Sequence, residues 1–210
     1  MPSNLVVHVI DDDDAARDSL KFLLESARLS VRTYESGSAF LEAMPNIDQG
    51  CVITDVRMPG ISGIELLQHL KKFPFELPVI VITGHGDVPL AVEAMKLGAI
   101  DFFEKPFEDD ALLAAVRSAL NQYEKDSKRE ADRAKIAARI EALSPRERQV
   151  LDGLVAGHPN KNIAFDLGIS PRTVEIYRAN VMTKMQAGSL SELVRMALLA
   201  GVLNGGKGRA

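Results

Sequence analysis

Five polar residues in the first half of the chain are of types that together suit phosphoryl transfer. They are Asp11, Asp12, Asp55, Thr83 and Lys105. Neighbouring carboxylates repel one another unless a cation lies among them, and Mg2+ prefers such hard oxygen ligands. Phosphoryl transfer needs a cation of this kind, because the charge on the transferring oxygens must be stabilised. A lysine ammonium group and a threonine hydroxyl can hold further phosphoryl oxygens.

This chemistry requires the five residues to lie together, and the surrounding chain predicts that they do. Short β-branched runs alternate with helical stretches, which is typical of βα units. The predicted strands are Leu5–Ile10, Ser30–Tyr34, Gly50–Thr54, Pro78–Thr83 and Asp101–Phe103, and helices are predicted near 14–28, 36–44, 62–73, 87–97 and from Phe107. The candidate residues end or follow four of these strands. Ligands of open α/β sheets bind at the carboxyl ends of strands.

Two of the predicted strands, the first and the fourth, are apolar on both faces, as a parallel sheet covered by helices on each side requires. The alternation favours an α/β flavodoxin-like fold, with a five-stranded parallel sheet in the order 2-1-3-4-5. Asp13 and Asp14 are interpreted as helix-capping or solvated neighbours rather than as part of the site.

From residue 143 onward the chain contains no predicted strand. Ser144-Pro145 and Ser170-Pro171 are typical of helix starts, and Gly157 and Gly168 are typical of helix ends. A helix over 160–167, a glycine turn and a second helix after Ser170 match the helix-turn-helix pattern, whose second helix enters the major groove of DNA. We predict an all-α domain of four helices.

A segment without Gly or Pro, from Asp109 to Glu141, joins the two halves. Opposite charges at helical spacing, such as Glu124 and Lys128, predict one long solvated helix. A disordered charged linker is the alternative. The predicted division is a first domain over 1–122, a helical linker over 123–141 and a helix-turn-helix domain over 142–210.

The charge of the chain is divided unevenly between its halves. Lys and Arg number 10 against 19 Asp and Glu in residues 1–123, and 15 against 10 in residues 124–210. An acidic half beside a basic half indicates two partners of different charge. No apolar stretch approaches the roughly 20 residues that cross a bilayer, and the N-terminus lacks a signal-peptide pattern. We therefore expect a cytoplasmic protein without a membrane partner, with the single Cys51 buried in the core.

Four motifs of the first half together resemble the signature of response-regulator receiver domains over about residues 4–122. They are Asp11-Asp12, Asp55-Val56-Arg57-Met58-Pro59-Gly60, Thr83-Gly84 and Lys105-Pro106-Phe107. The resemblance implies that Asp55 is the phosphoacceptor and that Thr83 and Lys105 hold the phosphoryl oxygens. The Mg2+ ligands that it implies are Asp11, Asp12, Asp55 and the backbone carbonyl of Arg57.

The same resemblance implies a conformational switch. Thr83 would move toward the phosphoryl group and Phe102 would turn into the space that it leaves, although a plain core ring is the other interpretation of Phe102. The repacked surface would lie on the helix at Val88–Leu97 and the fifth strand, where a second receiver docks. The dimer face predicted for the phosphorylated homodimer is Val88, Val92, Met95 and Lys96.

Motifs of the second half resemble the LuxR/NarL type of DNA-binding domain. These motifs are Leu143-Ser144-Pro145-Arg146-Glu147, Ile169-Ser170-Pro171-Arg172-Thr173-Val174 and Leu190-Ser191-Glu192-Leu193-Val194. By position in that family, Glu175, Ile176 and Ala179 face base edges, and Asn160, Lys161, Thr173, Arg178 and Lys184 contact mainly phosphates. Many relatives carry a basic residue in place of Glu175. This carboxylate either accepts a hydrogen bond from cytosine N4 or weakens non-specific binding.

The two resemblances together are similar to the FixJ/NarL group of transcription regulators. They imply a two-component response regulator and not an enzyme: a sensor histidine kinase phosphorylates Asp55, the receiver dimerises, and the pair binds promoter double-stranded DNA and activates RNA polymerase. Masking of the output domain by the unphosphorylated receiver is an alternative or additional control. The stretches 83–87 and 101–107 look like FixJ-type nitrogen-fixation regulators, whose kinase carries haem and senses oxygen.

Two functions of other classes compete with this interpretation. A small Mg2+-dependent phosphatase would use Asp55 as its nucleophile, but Arg57 stands where such an enzyme needs a second aspartate. A scaffold protein would use the helical domain to bind protein rather than DNA. Turnover of a phosphate ester would identify the first, and a missing salt-dependent shift of promoter fragments would identify the second.

Overall fold

The computed structural model describes residues 5–73, 77–84 and 88–201 of the 210-residue chain. The chain divides into two compact units, Met1–Asp126 and Ser127–Ala210. Within the described ranges, no helix is both long enough and apolar enough to cross a membrane.

The first unit is built around a five-stranded parallel sheet in the order β2-β1-β3-β4-β5. Its strands are β1 (Val6–Ile10), β2 (Ser30–Tyr34), β3 (Gly50–Asp55), β4 (Val79–Thr83) and β5 (Asp101–Glu104). Its helices are α1 (Asp14–Ser26), α2 (Gly37–Ala43), α3 (Gly63–Leu70), α4 (Val88–Lys96) and the start of α5 (Asp109–Glu141), with a 3₁₀ helix at Met44–Asn46. The predicted fold and strand order are confirmed.

Helices cover both faces of this sheet, as the apolar strands predict. Every residue of β3 and β4 is buried, and alternate side chains of each strand pack into two separate clusters. Val52 and Val81 pack with residues of α2, α3 and α4, whereas Ile53 and Ile82 pack with residues of α1 and α5. Cys51 is fully buried in the second cluster, and burial raises the pKa of its thiol to about 12.

The described part of the second unit contains four helices after α5, and the predicted all-α domain is confirmed. They are α6 (Pro145–Val155), α7 (Asn160–Leu167), α8 (Pro171–Met185) and α9 (Leu190–Leu199). Ser144 and Ser170 cap α6 and α8 through their hydroxyl groups, each followed by Pro in the first turn. Gly168 ends α7 in the left-handed conformation, with a φ of 64°, which a residue without Cβ adopts at little cost.

Helix α5 is 33 residues long, so the prediction of one long helix rather than a disordered linker is confirmed. All of the predicted linker, 123–141, lies within it. Near its carboxyl end Ile136 and Ile140 are 6% and 7% exposed and belong to the core cluster of the second unit. The last turns of α5 are therefore part of the packing of the second unit.

Candidate functional site

The strand register of the first unit brings the predicted phosphoacceptor residues to one edge of the sheet. Ile10 is the partner of Thr54, so Asp11 and Asp55 follow at the same level of neighbouring strands. On the other side of β4, the Lys105 amide donates to the Thr83 carbonyl at 2.8 Å. Lys105 and Pro106 are joined by a cis peptide bond.

Lys105 lies between the two acidic side chains. Its Nζ is 2.8 Å from Asp11 Oδ2 and 3.1 Å from Asp55 Oδ1. Both carboxylates are buried, and the other oxygen of each accepts a backbone hydrogen bond. The Asp13 amide donates to Asp11 Oδ1 at 2.9 Å and the Arg57 amide donates to Asp55 Oδ2 at 2.7 Å. Backbone amides therefore hold both carboxylates, and both face the Lys105 ammonium group.

The electrostatics of this group are unevenly balanced. Burial raises the pKa of Asp55 above its usual value and the negative charge of Asp11 adds to this, against the opposing effects of Lys105 and the Arg57 amide. Burial acts to lower the pKa of Lys105, but hydrogen bonds and charge from Asp11 and Asp55 outweigh it, and the pKa is raised. Two negative charges share one positive charge, so the group as a whole favours a further cation.

The donor chemistry of this edge fits a hard divalent ion, although the side chains are not gathered as a finished metal site. Within the ranges that the structure describes, no group of three or more His, Cys, Asp or Glu side chains is placed to hold a metal ion. Asp12 is exposed and lines a cleft of about 730 Å³ together with Arg57. Asp11 and Asp55 direct carboxylate oxygens toward the position that the Lys105 ammonium group takes in this structure, and a magnesium ion prefers such oxygens.

Asp13 and Asp14 have the capping and solvated roles that the sequence predicted. Asp13 is the N-cap of α1, and its side chain accepts from two amides of the first turn. Asp14 is exposed and forms an ion pair with Arg17. Sequence reasoning missed a second contact of Arg17, which donates from Nη1 to the backbone carbonyl of Asp11 at 2.7 Å.

Gly63 is a second residue that sequence reasoning missed. It opens α3, and a Cβ added there would lie 2.2 Å from the backbone oxygen of Asp55. Its amide donates to the Val56 carbonyl at 3.0 Å, so the helix start is bonded directly to the segment that follows β3. The signal in the sequence was a glycine beside the capping residue Ser62, where glycine has no advantage as a helix former.

The residues of the predicted switch lie near the same edge. Thr83 is fully buried at the end of β4. Phe102 is half-buried and packs against the cluster on the α3 and α4 face, whereas Phe103 packs against the opposite cluster. The stretch 85–87, which contributed to the FixJ-type resemblance, lies outside the described residues.

The predicted dimer face consists of exposed side chains on α4. Val88, Val92 and Met95 are 78%, 44% and 48% exposed, and Lys96 is exposed beside them. Exposed apolar side chains so close together on one helix are typical of a contact surface. The dimer itself stays a prediction.

In the second unit, one face of α8 packs in the core and the opposite face is exposed. Val174, Val181 and Met185 are fully buried in the core. Glu175, Ile176 and Ala179, the residues predicted to face base edges, are all exposed, and Ile176 is 58% exposed. The outer face of α8 is therefore free of contacts with the core and accessible along its first half.

The residues predicted to contact phosphates differ in their surroundings. Lys161 is exposed, Arg178 Nη1 lies 3.5 Å from Asn160 Oδ1, and the Thr173 hydroxyl is hydrogen-bonded to the Ser170 hydroxyl at 2.8 Å. These four side chains border the start of the two helices of the helix-turn-helix. Their contacts with DNA stay predictions.

Lys184 differs from these residues because it already holds a buried partner. Its Nζ is 2.7 Å from Glu147 Oε2, and Glu147 is only 4% exposed. Glu147 also forms a capping box with Ser144, whose amide donates to Oε2 at 2.8 Å. The hydrogen bond from Lys184, followed by that from Ser144, lowers the pKa of Glu147 to about 2. The Ser-x-x-Glu spacing signalled the capping box, but nothing in the sequence linked it to Lys184.

Comparison with known proteins gives matches to both units. Residues 7–117 match the family model of the response regulator receiver domain, and residues 141–197 match that of the luxR family of bacterial regulatory proteins. Transcriptional regulatory protein FixJ of Azorhizobium caulinodans is 64% identical over 202 residues, covering 96% of each chain. FixJ of Rhizobium meliloti is 51% identical over 199 residues, covering 95% of this chain and 98% of the relative.

Solved structures agree with these matches. The crystal structure of full-length FixJ from B. japonicum is 61% identical, with 95% of this chain and 98% of that chain covered and a TM-score of 0.59. The low-resolution structure of the response regulator StyR is 40% identical, with 93% and 99% covered and a TM-score of 0.85.

Proposed function

The chain belongs to the response regulators that join a receiver domain to a luxR-type DNA-binding domain, as a FixJ-type two-component transcription regulator, and we propose that phosphorylation of Asp55 controls its binding to DNA. The single observation that carries this proposal is the position of Lys105, whose ammonium group contacts Asp11 and Asp55 together at the carboxyl edge of the sheet. The donor of the phosphoryl group is a sensor histidine kinase.

The chemical step forms a bond between a carboxylate oxygen of Asp55 and phosphorus, while the bond from phosphorus to the kinase histidine nitrogen breaks. The Arg57 amide holds Asp55 Oδ2 in place, which orients the carboxylate for attack. Asp11, Asp12, Asp55 and the Arg57 carbonyl are the proposed holders of Mg2+. When bound, Mg2+ would neutralise charge on the transferring oxygens. Lys105 then exchanges a carboxylate partner for a phosphoryl oxygen.

The switch follows from the charge that the phosphoryl group adds, about −1.5 to −2 at neutral pH. The hydroxyl of Thr83 donates to a phosphoryl oxygen, and Phe102 turns toward the space behind it. Phosphorylation favours this repacked arrangement only to the extent that it binds the phosphoryl group more tightly than the resting arrangement does. The exposed apolar side chains of α4 then form the homodimer contact.

The output step is promoter recognition by a pair of DNA-binding domains. Exposed Glu175, Ile176 and Ala179 are the proposed contacts to base edges, and the phosphate contacts are Asn160, Lys161, Thr173, Arg178 and Lys184. Lys184 retains two further N–H donors beside the one that it gives to Glu147. Receiver dimerisation raises the effective concentration of the second DNA-binding domain. The bound pair recruits RNA polymerase in the bacterial cytoplasm and activates transcription.

The dimerisation step is tested by sedimentation of the full chain with and without an acyl-phosphate donor in Mg2+. The wild type is expected to become dimeric, and Asp55→Asn is expected to stay monomeric because it has no carboxylate to phosphorylate. Asp18→Asn, which removes an exposed carboxylate of α1, serves as the matched control and should dimerise. Donor-dependent dimerisation of Asp55→Asn would overturn the assignment of the phosphoacceptor.

The DNA-binding step is tested by the salt dependence of affinity. Arg178→Ala should weaken binding to every duplex and reduce the slope of log affinity against log salt by about one, because one phosphate contact is lost. An unchanged slope would contradict the assignment of Arg178. The absence of salt-dependent DNA binding in the wild type would favour the scaffold function instead.

A further inference from the structure

The carboxyl end of α8 is held by a side chain from another helix. The last carbonyl groups of a helix have no partner within it and need a donor from elsewhere. Arg139 Nη1 donates to the Met185 carbonyl at 3.1 Å, and Arg139 Nη2 donates to Gln186 Oε1 at 2.6 Å. Gln186 ends α8 in the left-handed conformation with a φ of 55°. One planar guanidinium group therefore contacts both the last turn of the helix and its capping residue.

The cation is also well placed for the helix dipole, which carries partial negative charge at this end. Arg139 is half-buried, and its neighbours on α5, Ile136 and Ile140, both pack in the same core as Met185. Lys184 is tied to the buried Glu147 of α6 one residue before the Arg139 contact. The end of α8 is thus fixed from two helices at once.

Neither the predicted boundary at 142 nor the luxR family match over 141–197 includes Arg139. The predicted division assigns these last turns of α5 to the linker over 123–141. The hydrogen bonds of Arg139 and the core packing of Ile136 and Ile140 instead join these turns to the unit that contains α8.

We propose that Arg139 is a positioning residue for promoter discrimination, which fixes α8 along and about its axis without contacting DNA. This inference rests on the proposed placement of α8 in the major groove. Hydrogen bonds to base edges have a narrow range of distance and angle, so a small displacement of Ile176 and Glu175 would weaken base readout. Phosphate binding by mobile cationic side chains is mainly electrostatic and tolerates the same displacement.

The test uses the full, phosphorylated chain, a duplex enriched from a random library by the wild type, and a scrambled duplex of equal length. Arg139→Met keeps the apolar stem but removes both hydrogen bonds. Arg133→Met, at an exposed position of the same helix, removes an equal charge and is the matched control. We expect Arg139→Met to lower the ratio of the two affinities about tenfold, a loss comparable to that from one mismatched base pair. Its affinity for scrambled DNA and its salt slope should equal those of Arg133→Met.

Arg139→Lys keeps the charge but not the planar pair of donors, so it should recover part of the discrimination. A ratio for Arg139→Met equal to that of Arg133→Met would overturn the proposal. So would an equal loss on both duplexes, which would indicate a phosphate contact or a loss of folded protein. If Arg139→Met does not fold, Arg139→Lys decides: reduced discrimination supports the proposal, and discrimination like the wild type overturns it.

Ile176→Ala separates this inference from the proposed function. If α8 reads base edges, truncation of this exposed side chain lowers discrimination. An effect of Ile176→Ala without one of Arg139→Met overturns only the positioning role. No effect of Ile176→Ala would instead overturn the placement of α8 in the groove.

Discussion

The two units shift the pKa of a buried acidic side chain in opposite directions. In the receiver, burial and the neighbouring Asp11 raise the pKa of Asp55, and both carboxylates share the ammonium group of Lys105. In the DNA-binding unit, Lys184 and the capping box with Ser144 lower the pKa of Glu147 to about 2. The first charge is held in an unfavourable setting that a metal ion or a phosphoryl group can relieve. The second is fully satisfied and stabilises the fold.

Burial of a carboxylate does not by itself indicate function. The neighbouring charges and hydrogen-bond donors distinguish a functional carboxylate from a structural one. The negative charge of a functional carboxylate is only partly stabilised by its neighbours in the protein. The negative charge of a structural carboxylate is fully stabilised by them. Stability measurements on matched variants can therefore separate the two classes.

The largest loss of stability is expected from a substitution that adds an atom against the backbone of Asp55. Gly63→Ala would bring a Cβ against the Asp55 carbonyl, and the resulting shift should lower the free energy of unfolding of the receiver by about 3 kcal/mol. Gly60→Ala is a demanding control, because a Cβ there meets nothing within 4 Å although its φ of 79° is strained. Denaturant titration measures both. A loss for Gly63→Ala no larger than that for Gly60→Ala would contradict the close packing.

The next largest loss of stability is expected when the charge of Glu147 is removed. Glu147→Gln removes a charge-assisted bond to Lys184 and should destabilise the DNA-binding unit by about 2 kcal/mol. Glu65→Gln is the matched control, because Glu65 forms the same capping box with Ser62 but is exposed. Hydrogen exchange of amides, read by mass spectrometry, should rise more in α6 and α8 of Glu147→Gln than in α3 of Glu65→Gln. Equal, small increases in hydrogen exchange in the two variants would show that burial of the ion pair between Glu147 and Lys184 adds nothing to stability.

The same contact predicts a pH dependence. Since the pKa of Glu147 is lowered from 4.5 to about 2, its contribution to stability is complete above pH 4.5 and is lost as the pH falls toward 2. Hydrogen exchange corrected for intrinsic rates should show α6 losing protection over this window. In Glu147→Gln that part of the loss should be absent. An equally steep loss in the variant would assign the acid sensitivity to other groups.

The smallest effect is expected at Asp55. Asp55→Asn removes a buried charge that repels Asp11, while Lys105 keeps Asp11 as a partner. The free energy of unfolding should stay within about 1 kcal/mol of the wild type or rise. Denaturant titration of the unphosphorylated chain without divalent ions measures it. A loss as large as that of Glu147→Gln would remove the distinction between the two carboxylates.

The sequence predicted that Asp11, Asp55 and Lys105 would lie together, because the strand topology alone brings them to one edge of the sheet. Once alternating strands and helices indicate a parallel sheet, Asp11 and Asp55 must meet at its carboxyl edge, whatever the details of packing. The bonds of Arg139 and Lys184 were not predictable in this way. They depend on the angles at which α5, α6 and α8 cross, and no periodicity of a single helix encodes such angles. Gly63 lies between these cases, since the glycine was visible but its close partner was not.

In the proposed function, a phosphoryl group on Asp55 controls the affinity of the chain for DNA. The most direct test of this control is the affinity for the enriched promoter duplex in Mg2+, with and without an acyl-phosphate donor, for the wild type and Asp55→Asn. The donor should tighten binding by the wild type about a hundredfold, as linkage of two binding domains allows, and should leave Asp55→Asn unchanged. Equal affinity of the wild type with and without donor, or a donor response in Asp55→Asn, would contradict the account.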